Sequence, residues 1–363
     1  MKIAVLTLDF PPQVGGVQTY LYEISRRLGE THKVGIVTPV KGQLPPAVPL
    51  QKITLSHGNA FRFWQALRAT QPDRVLVGHA HPQLLLPAAV YTRNHHLTIA
   101  HGNDYLAAQQ RWHRLLFNWL LSHSRQLVTH TQANAQHLKR LGLPDACVVY
   151  PGTDPTWFTP PIAPAPFPPV LLTVGRLVAR KGIDTVLYAL PPLLSSYPDL
   201  RYHIVGDGPD RARLQALAQA LRITPSVIFS GEVDHVQLLT AYQQAHIFVM
   251  PVREEEKGTS VEGFGIVYLE ASACGLPVIA GRSGGASEAV RHEHTGYLVA
   301  PNAPEAVARV VLNLLENPER RQQMGQNGRR WVEKEMNWDR AARRLLLLLT
   351  SERPLRPATG GRA

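Results

Sequence analysis

Short apolar runs alternate with longer helical patterns along nearly the whole chain, and the alternation occurs twice, once on each side of a proline-rich stretch at 155–169. In the first half, strand-like runs fall at 3–8, 34–38, 51–55, 74–78, 97–100, 126–130 and 147–150. Helical segments lie between them near 16–29, 60–70, 82–93, 105–124 and 132–141. In the second half, strands are expected at 169–174, 201–206, 226–230, 246–250, 277–280 and 297–299, and helices near 183–196, 209–221, 234–245, 264–274, 284–291 and 304–316. This order of elements suits parallel sheets whose crossover helices cover both faces. The expected fold class is α/β, with two doubly wound, Rossmann-like domains facing across a cleft. We place the N-terminal domain at 1–163 and the C-terminal domain at 164–336. A last helical region near 318–352 follows, so that 337–363 forms a helix packing back on the first domain and a disordered tail.

Length and composition agree with two globular domains. The chain has 363 residues, more than the roughly 250–300 that one hydrophobic core supports. It is 44% hydrophobic and 18% charged, which excludes a disordered chain. No run approaches the ~20 apolar residues of a membrane span, and Met1 to Asp9 reads as a first strand, not a signal peptide. Cys147 and Cys274 sit in apolar surroundings without CxxC spacing, as buried thiols in a reducing cytosol do. A cytoplasmic location is expected. The net charge of +11 suits an anionic partner such as nucleotide phosphates or an anionic lipid surface. Without zinc spacing or an RNA-binding signature, no nucleic-acid partner is expected.

Ligands of open α/β sheets bind beyond the carboxyl ends of the strands, and the glycine-rich motifs of this chain all follow predicted strands. Gly15 and Gly16, after the first strand, let a ligand approach the backbone and open a helix whose N–H groups favour anions; the plain alternative is a βα turn. His101, after 97–100, is placed to bond a hydroxyl or shuttle a proton, and Asp104 suits an N-cap. Arg176 and Lys181, in Val174-Gly175-Arg176-Leu177-Val178-Ala179-Arg180-Lys181-Gly182, are cations suited to a departing diphosphate, or simply a solvated basic loop. The loops at Gly206 and at Val233 offer backbone groups to a nucleoside, or are structural turns.

The most informative stretch is Glu262-Gly263-Phe264-Gly265-Ile266-Val267-Tyr268-Leu269-Glu270. Its glycines leave N–H groups open at a helix start. The two glutamates are eight residues apart, about 12 Å at 1.5 Å per residue. That is too far for the roughly 5–10 Å carboxylate pair of a glycosidase. The spacing suits a longer ligand with hydroxyls at both ends, such as a sugar and a ribose. Glu262 alone could be an N-terminal helix charge, but Glu270 lies in an apolar run where an unpartnered acid is expensive to bury. No Asp-x-Asp pair occurs, so the leaving-group charge is expected to fall to Arg176, Lys181 and helix N-termini, with no cofactor required and no essential metal.

Taken together, Glu-x7-Glu, the upstream Gly-Arg-x4-Lys-Gly, the glycine pair near the N-terminus and Pro151-Gly152-Thr153-Asp154 resemble glycosyltransferase family 4, which has the GT-B fold. The resemblance runs from Asp9 to about Trp338. Within the family, Asp9–Leu21 and Val261–Glu270 look most like phosphatidyl-myo-inositol mannosyltransferases. The resemblance implies retaining transfer of a hexose, with mannose from GDP-mannose favoured, to a lipid, glycan or other hydroxyl acceptor. It implies that Arg176 and Lys181 contact the diphosphate and that Glu270 binds the ribose. It assigns Glu262 and the amides of Gly263, Phe264, Gly265 and Ile266 to the transferred sugar, His101 to the reacting centre, and Gly15 and Gly16 to the phosphate and acceptor side. A UDP-sugar donor, a sugar-nucleotide epimerase and a silent nucleotide-sugar-binding protein are the competing readings. Trp112, Leu115, Leu116 and Trp119 share one helical face, which is either core or a contact with an anionic membrane surface at the inner face of the membrane.

Overall fold

The computed structural model describes residues 1–351 except 14, 45–47, 102–110, 164 and 255–261, and in helix Arg111–Ser122 it leaves out the side chains of 111–114 and 116. The chain forms two compact units, Met1–Pro151 together with the chain from Trp338, and Gly152–Asn337.

The first unit is built on seven parallel strands: β1 (Lys2–Leu6), β2 (Lys33–Thr38), β3 (Leu50–Thr54), β4 (Arg74–Val77), β5 (Leu97–Ile99), β6 (Gln126–Thr129) and β7 (Ala146–Val148). Their order is β3-β2-β1-β4-β5-β6-β7. The second unit has six: β8 (Val170–Val174), β9 (Arg201–Val205), β10 (Val227–Gly231), β11 (Ile247–Met250), β12 (Val278–Gly281) and β13 (Gly296–Val299), in the order β10-β9-β8-β11-β12-β13. Every pairing between these strands is parallel among the described residues, apart from the single antiparallel bridge of Gly206 with Gly231 beyond β9. Each sheet grows outward in two directions from its first strand. The switch points, where such folds bind ligands, therefore lie between β1 and β4 and between β8 and β11.

The central strands carry apolar runs because helices cover both faces: β11, Ile-Phe-Val-Met, is buried throughout. One core gathers Leu171, Ile204, Val249 and Ile279 with Leu187, Leu190, Val307 and Val311 from helices Ile183–Ser196 and Pro304–Glu316. The other gathers Leu6, Val75 and Val77 with Phe63, Leu84, Leu120 and Leu138.

Three differences from the sequence reading have clear causes. The chain divides at Pro151/Gly152, not at 163/164, because the start of the proline-rich stretch is tied to the second unit. Thr153 N–H donates to Met336 O at 3.1 Å, Gln243 Nε2 to Thr159 O at 3.0 Å, and Arg329 to Phe158 O at 2.6 Å. The helical region 318–352 is two helices, Pro318–Lys334 and Trp338–Thr350. The second packs on helix Gly16–Gly29, where Trp338 meets Tyr20 edge-on at 5.8 Å and Asp339 pairs with Arg27. Residues 284–291 form a 3-10 turn, Gly284–Glu288, not a helix, since paired glycines propagate a helix poorly.

Of the expected stripe on helix Arg111–Ser122, the side chains of Trp112 and Leu116 lie outside the described residues. Phe117, Leu120 and Leu121 are buried, whereas Leu115 and Trp119 are 68% and 53% exposed. Neighbouring helix Pro82–Thr92 exposes Leu86 and Val90. No helix among the described residues is long and apolar enough to cross a membrane.

Candidate active site

In the second unit, the loops that leave β8, β9 and β10 are fastened to one another by backbone groups. Gly175 N–H donates to Val205 O, Leu177 N–H to Asp207 O, and Gly206 N–H to Gly231 O, at 2.7–2.9 Å. Gly206 has φ +124°, and a Cβ there would stand 2.2 Å from Gly175 O, so only glycine fits this crossing. Val233 follows on the same loop as Gly231 and is half-buried. The glycines read as a possible nucleoside platform therefore also have a structural duty.

Across the switch point, the turn after β8 meets the loop after β11. Lys181 Nζ lies 2.8 Å from Glu262 Oε2, and Arg180 donates to the same oxygen. Lys181 and Glu262 are each 7% exposed. Burial alone would raise the Glu262 carboxyl, but Lys181 and then Arg180 outweigh it and hold Glu262 below the ordinary carboxylate range. Arg176 is exposed and makes no ion pair among the described residues. Beside Gly263 the space is open: a Cβ would meet nothing described within 4 Å. Phe264 is buried, and Gly265, at φ +85°, caps helix Ile266–Ala273. The helix thus begins only at Ile266, so the 12 Å axial estimate for Glu262–Glu270 does not apply; Glu262 lies on the preceding loop.

Glu270 has a different environment. Tyr242 Oη donates to its Oε2 at 2.8 Å. Burial pushes its carboxyl up to about 7, and the tyrosine hydrogen bond opposes only part of that. Two glutamates on one short segment are therefore held in opposite ways, one ionised by two cations and one near neutrality beside a phenol.

In the first unit, the switch point gathers histidines. His101 is 5% exposed and its Nε2 lies 2.8 Å from Gly78 O, which assigns the proton to Nε2. Its Nδ1 then accepts from His130 Nε2 at 2.9 Å. His79 Nε2 donates to Thr7 Oγ1 at 2.8 Å, and its ring lies 5.3 Å from that of His101. Burial, with His101 second, pushes His130 well below its ordinary value, so it is neutral. Both His101 nitrogens face protein partners, so direct bonding to a sugar requires His101 to release one. Gly15 precedes helix Gly16–Gly29; Gly15 is covered by the Gln18 side chain, while the space beside Gly16 is open. Asp104 and 258–261 lie outside the described residues.

Sequence reasoning missed Arg180, Tyr242, His79 and His130. Arg180 stood beside Lys181 in the quoted motif, which was its only signal. Tyr242 is 28 residues from Glu270, and nothing local marks it. Among the described residues, no three His, Cys, Asp or Glu side chains converge as metal ligands.

Two doubly wound parallel sheets in one chain are the GT-B architecture. Sucrose-phosphate synthase from Thermosynechococcus elongatus has a similar fold, with a TM-score of 0.78 over 96% of this chain and 98% of that one at 24% identity. Residues 14–157 match the profile of Glycosyltransferase Family 4, and residues 161–331 that of Glycosyl transferases group 1. The chain is 32% identical to the GDP-mannose-dependent alpha-(1-6)-phosphatidylinositol monomannoside mannosyltransferase of Mycolicibacterium smegmatis, over 98% of this chain and 100% of that protein. It is 30% identical to the GDP-mannose-dependent monoacylated alpha-(1-6)-phosphatidylinositol monomannoside mannosyltransferase of Corynebacterium glutamicum, over 97% and 98%. The chain belongs to glycosyltransferase family 4, and it is a hexosyltransferase.

Proposed function

We propose that this enzyme transfers mannose from GDP-mannose to a lipid-linked or glycan hydroxyl, with retention at the anomeric carbon and without an essential metal. The observation that carries the reading is the meeting of Lys181 and Glu262 across the β8/β11 switch point. It sets a cation for phosphate beside an ionised acceptor of sugar hydroxyl hydrogens. Both relatives' names specify GDP-mannose as donor, which supports the choice of base and sugar.

In this reading the diphosphate lies against Arg176 and Lys181, Glu270 accepts from the ribose hydroxyls, and Glu262 with the amides of 263–266 holds the mannose. The bond from the anomeric carbon to the β-phosphate oxygen breaks as the acceptor oxygen adds from the same face. The acceptor's proton passes to a leaving phosphate oxygen, so GDP departs protonated and no protein base is consumed. Arg176 and Lys181 stabilise the charge that grows on the phosphate. Exposed Leu115, Trp119, Leu86 and Val90 support peripheral attachment to a membrane that presents the acceptor.

A donor panel tests the reading. GDP-mannose should raise Tm and release GDP on turnover, and EDTA should leave the rate within about twofold. Preference for a UDP-sugar would overturn the donor assignment, and full loss with EDTA the metal-free mechanism.

A further inference from the structure

The residue to explain is Arg180. The glutamate that the proposed reading gives to mannose receives two cations on one oxygen, Lys181 Nζ at 2.8 Å and an Arg180 guanidinium nitrogen. The Arg180 side chain is 25% exposed and that of Lys181 is 9% exposed, so Arg180 approaches from the wetter side. Its backbone is fixed: Arg180 O accepts from Arg253 N–H at 2.9 Å. The Arg253 guanidinium in turn grips both oxygens of Asp184 at 2.9 and 2.8 Å. Gly182, at φ +69°, seats the turn directly on β11's end, where a Cβ would lie 2.2 Å from Pro251 O. The backbone that carries Arg180 is therefore held in place by the scaffold, and its guanidinium reaches Glu262 from a fixed base.

Lys181 has two claimants. It pairs with Glu262, and its ammonium lies 3.8 Å from where a Gly175 Cβ would stand, at the mouth of the loop that carries Arg176. A bound diphosphate carries more charge than one carboxylate and draws Lys181 toward itself. We propose that Arg180 is a positioning residue which keeps Glu262 ionised and aimed at the sugar once the donor diphosphate has engaged Lys181. The inference rests on the proposed assignment of Glu262 to the transferred sugar.

Glu270 is an internal control for what Arg180 prevents. Half-buried beside a tyrosine and with no cation paired to it among the described residues, its carboxyl is pushed by burial up to about 7. Glu262 is more deeply buried as a residue, yet it is held low. Among the described residues, the charged and titratable groups facing Glu262 are Lys181 and Arg180 from the turn after β8 and Tyr268 from helix Ile266–Ala273. Tyr268 spends its hydroxyl on Met250 O at 2.7 Å. With Lys181 diverted, only Arg180 among them is left to pair with the carboxylate.

The test compares wild type, Arg180→Gln, Arg180→Lys, Glu262→Gln and the Arg180→Gln/Glu262→Gln double variant, read by GDP release from GDP-mannose between pH 5 and 9 and by GDP affinity. Arg180→Gln should lower kcat/KM about tenfold or more near pH 6 and move the acid limb up by about one pH unit. GDP affinity should stay within about twofold. Arg180→Lys should restore most of the rate. On the Glu262→Gln background, Arg180→Gln should cost less than about threefold, because the two act as one unit. An unmoved acid limb or additive losses would overturn the role of Arg180. Equal losses of GDP and GDP-mannose affinity would make Arg180 a diphosphate ligand instead. If Glu262→Gln alone keeps wild-type kcat/KM, the site assignment fails and the inference with it.

Discussion

Glu270 is half-buried, in a state that opposes the charge its proposed task requires. Its carboxyl is pushed from an ordinary 4.5 up to about 7 by burial, with one hydrogen bond from Tyr242. A group raised in the folded state adds stability that is fully present below pH 4.5 and is lost as pH rises through 7. The displacement corresponds to at most about 3 kcal/mol at ~1.4 kcal/mol per pH unit. Because Glu270 keeps some solvent access, about 2 kcal/mol is the better expectation. Glu270→Gln keeps shape, removes the ionisation and still accepts from Tyr242. In urea titrations the ligand-free variant should be about 2 kcal/mol more stable than wild type at pH 8 and equal to it at pH 4.5. The same variant should bind GDP more weakly, since ribose hydroxyls donate better to a carboxylate. Wild type binding GDP at pH 6.5 should release roughly three quarters of a proton, and Glu270→Gln almost none, by calorimetry in two buffers. An equal stability difference at pH 4.5 and pH 8 would refute the reasoning about burial. Unchanged GDP affinity would refute the ribose contact.

Gly206→Ala should lower the urea midpoint by the equivalent of about 2 kcal/mol or more, because the added Cβ meets the Gly175 carbonyl at 2.2 Å and φ is +124°; an unchanged midpoint would show that the β8 and β9 loops can separate freely. His96 is 1% exposed, and burial, with His123 second, pushes it down to about 4. Its stabilising effect is fully present above pH 6.5 and is lost as pH falls toward 4, by up to about 3 kcal/mol, so His96→Asn should flatten the acid side of the stability profile. Leu115→Ser with Trp119→Ser should weaken sedimentation with anionic vesicles at least about tenfold while GDP release from GDP-mannose in detergent stays near wild type; equal sedimentation would remove this face as the membrane contact.

The alternation of strand and helix was readable because strands covered on both faces are dominated by apolar residues: β11 is apolar throughout, and β4 is apolar after Arg74. The glycine loops after strands were readable because few other residues permit close backbone approach. The helical spacing read for Glu262 and Glu270 did not survive, since Glu262 lies on the loop before helix Ile266–Ala273, and their chemistry was not in it. The sequence alone determined that two parallel sheets form and which family the chain resembles, since both follow from local pattern. Only the tertiary structure decided that Glu262 faces two cations 81 and 82 residues away, that Glu270 faces a tyrosine 28 residues away, and that His101 is held between Gly78 and His130. The physical reason is that a carboxylate's charge state is set by the partners and solvent around it, and those partners come from a turn and a helix distant in sequence, brought together by the strand order.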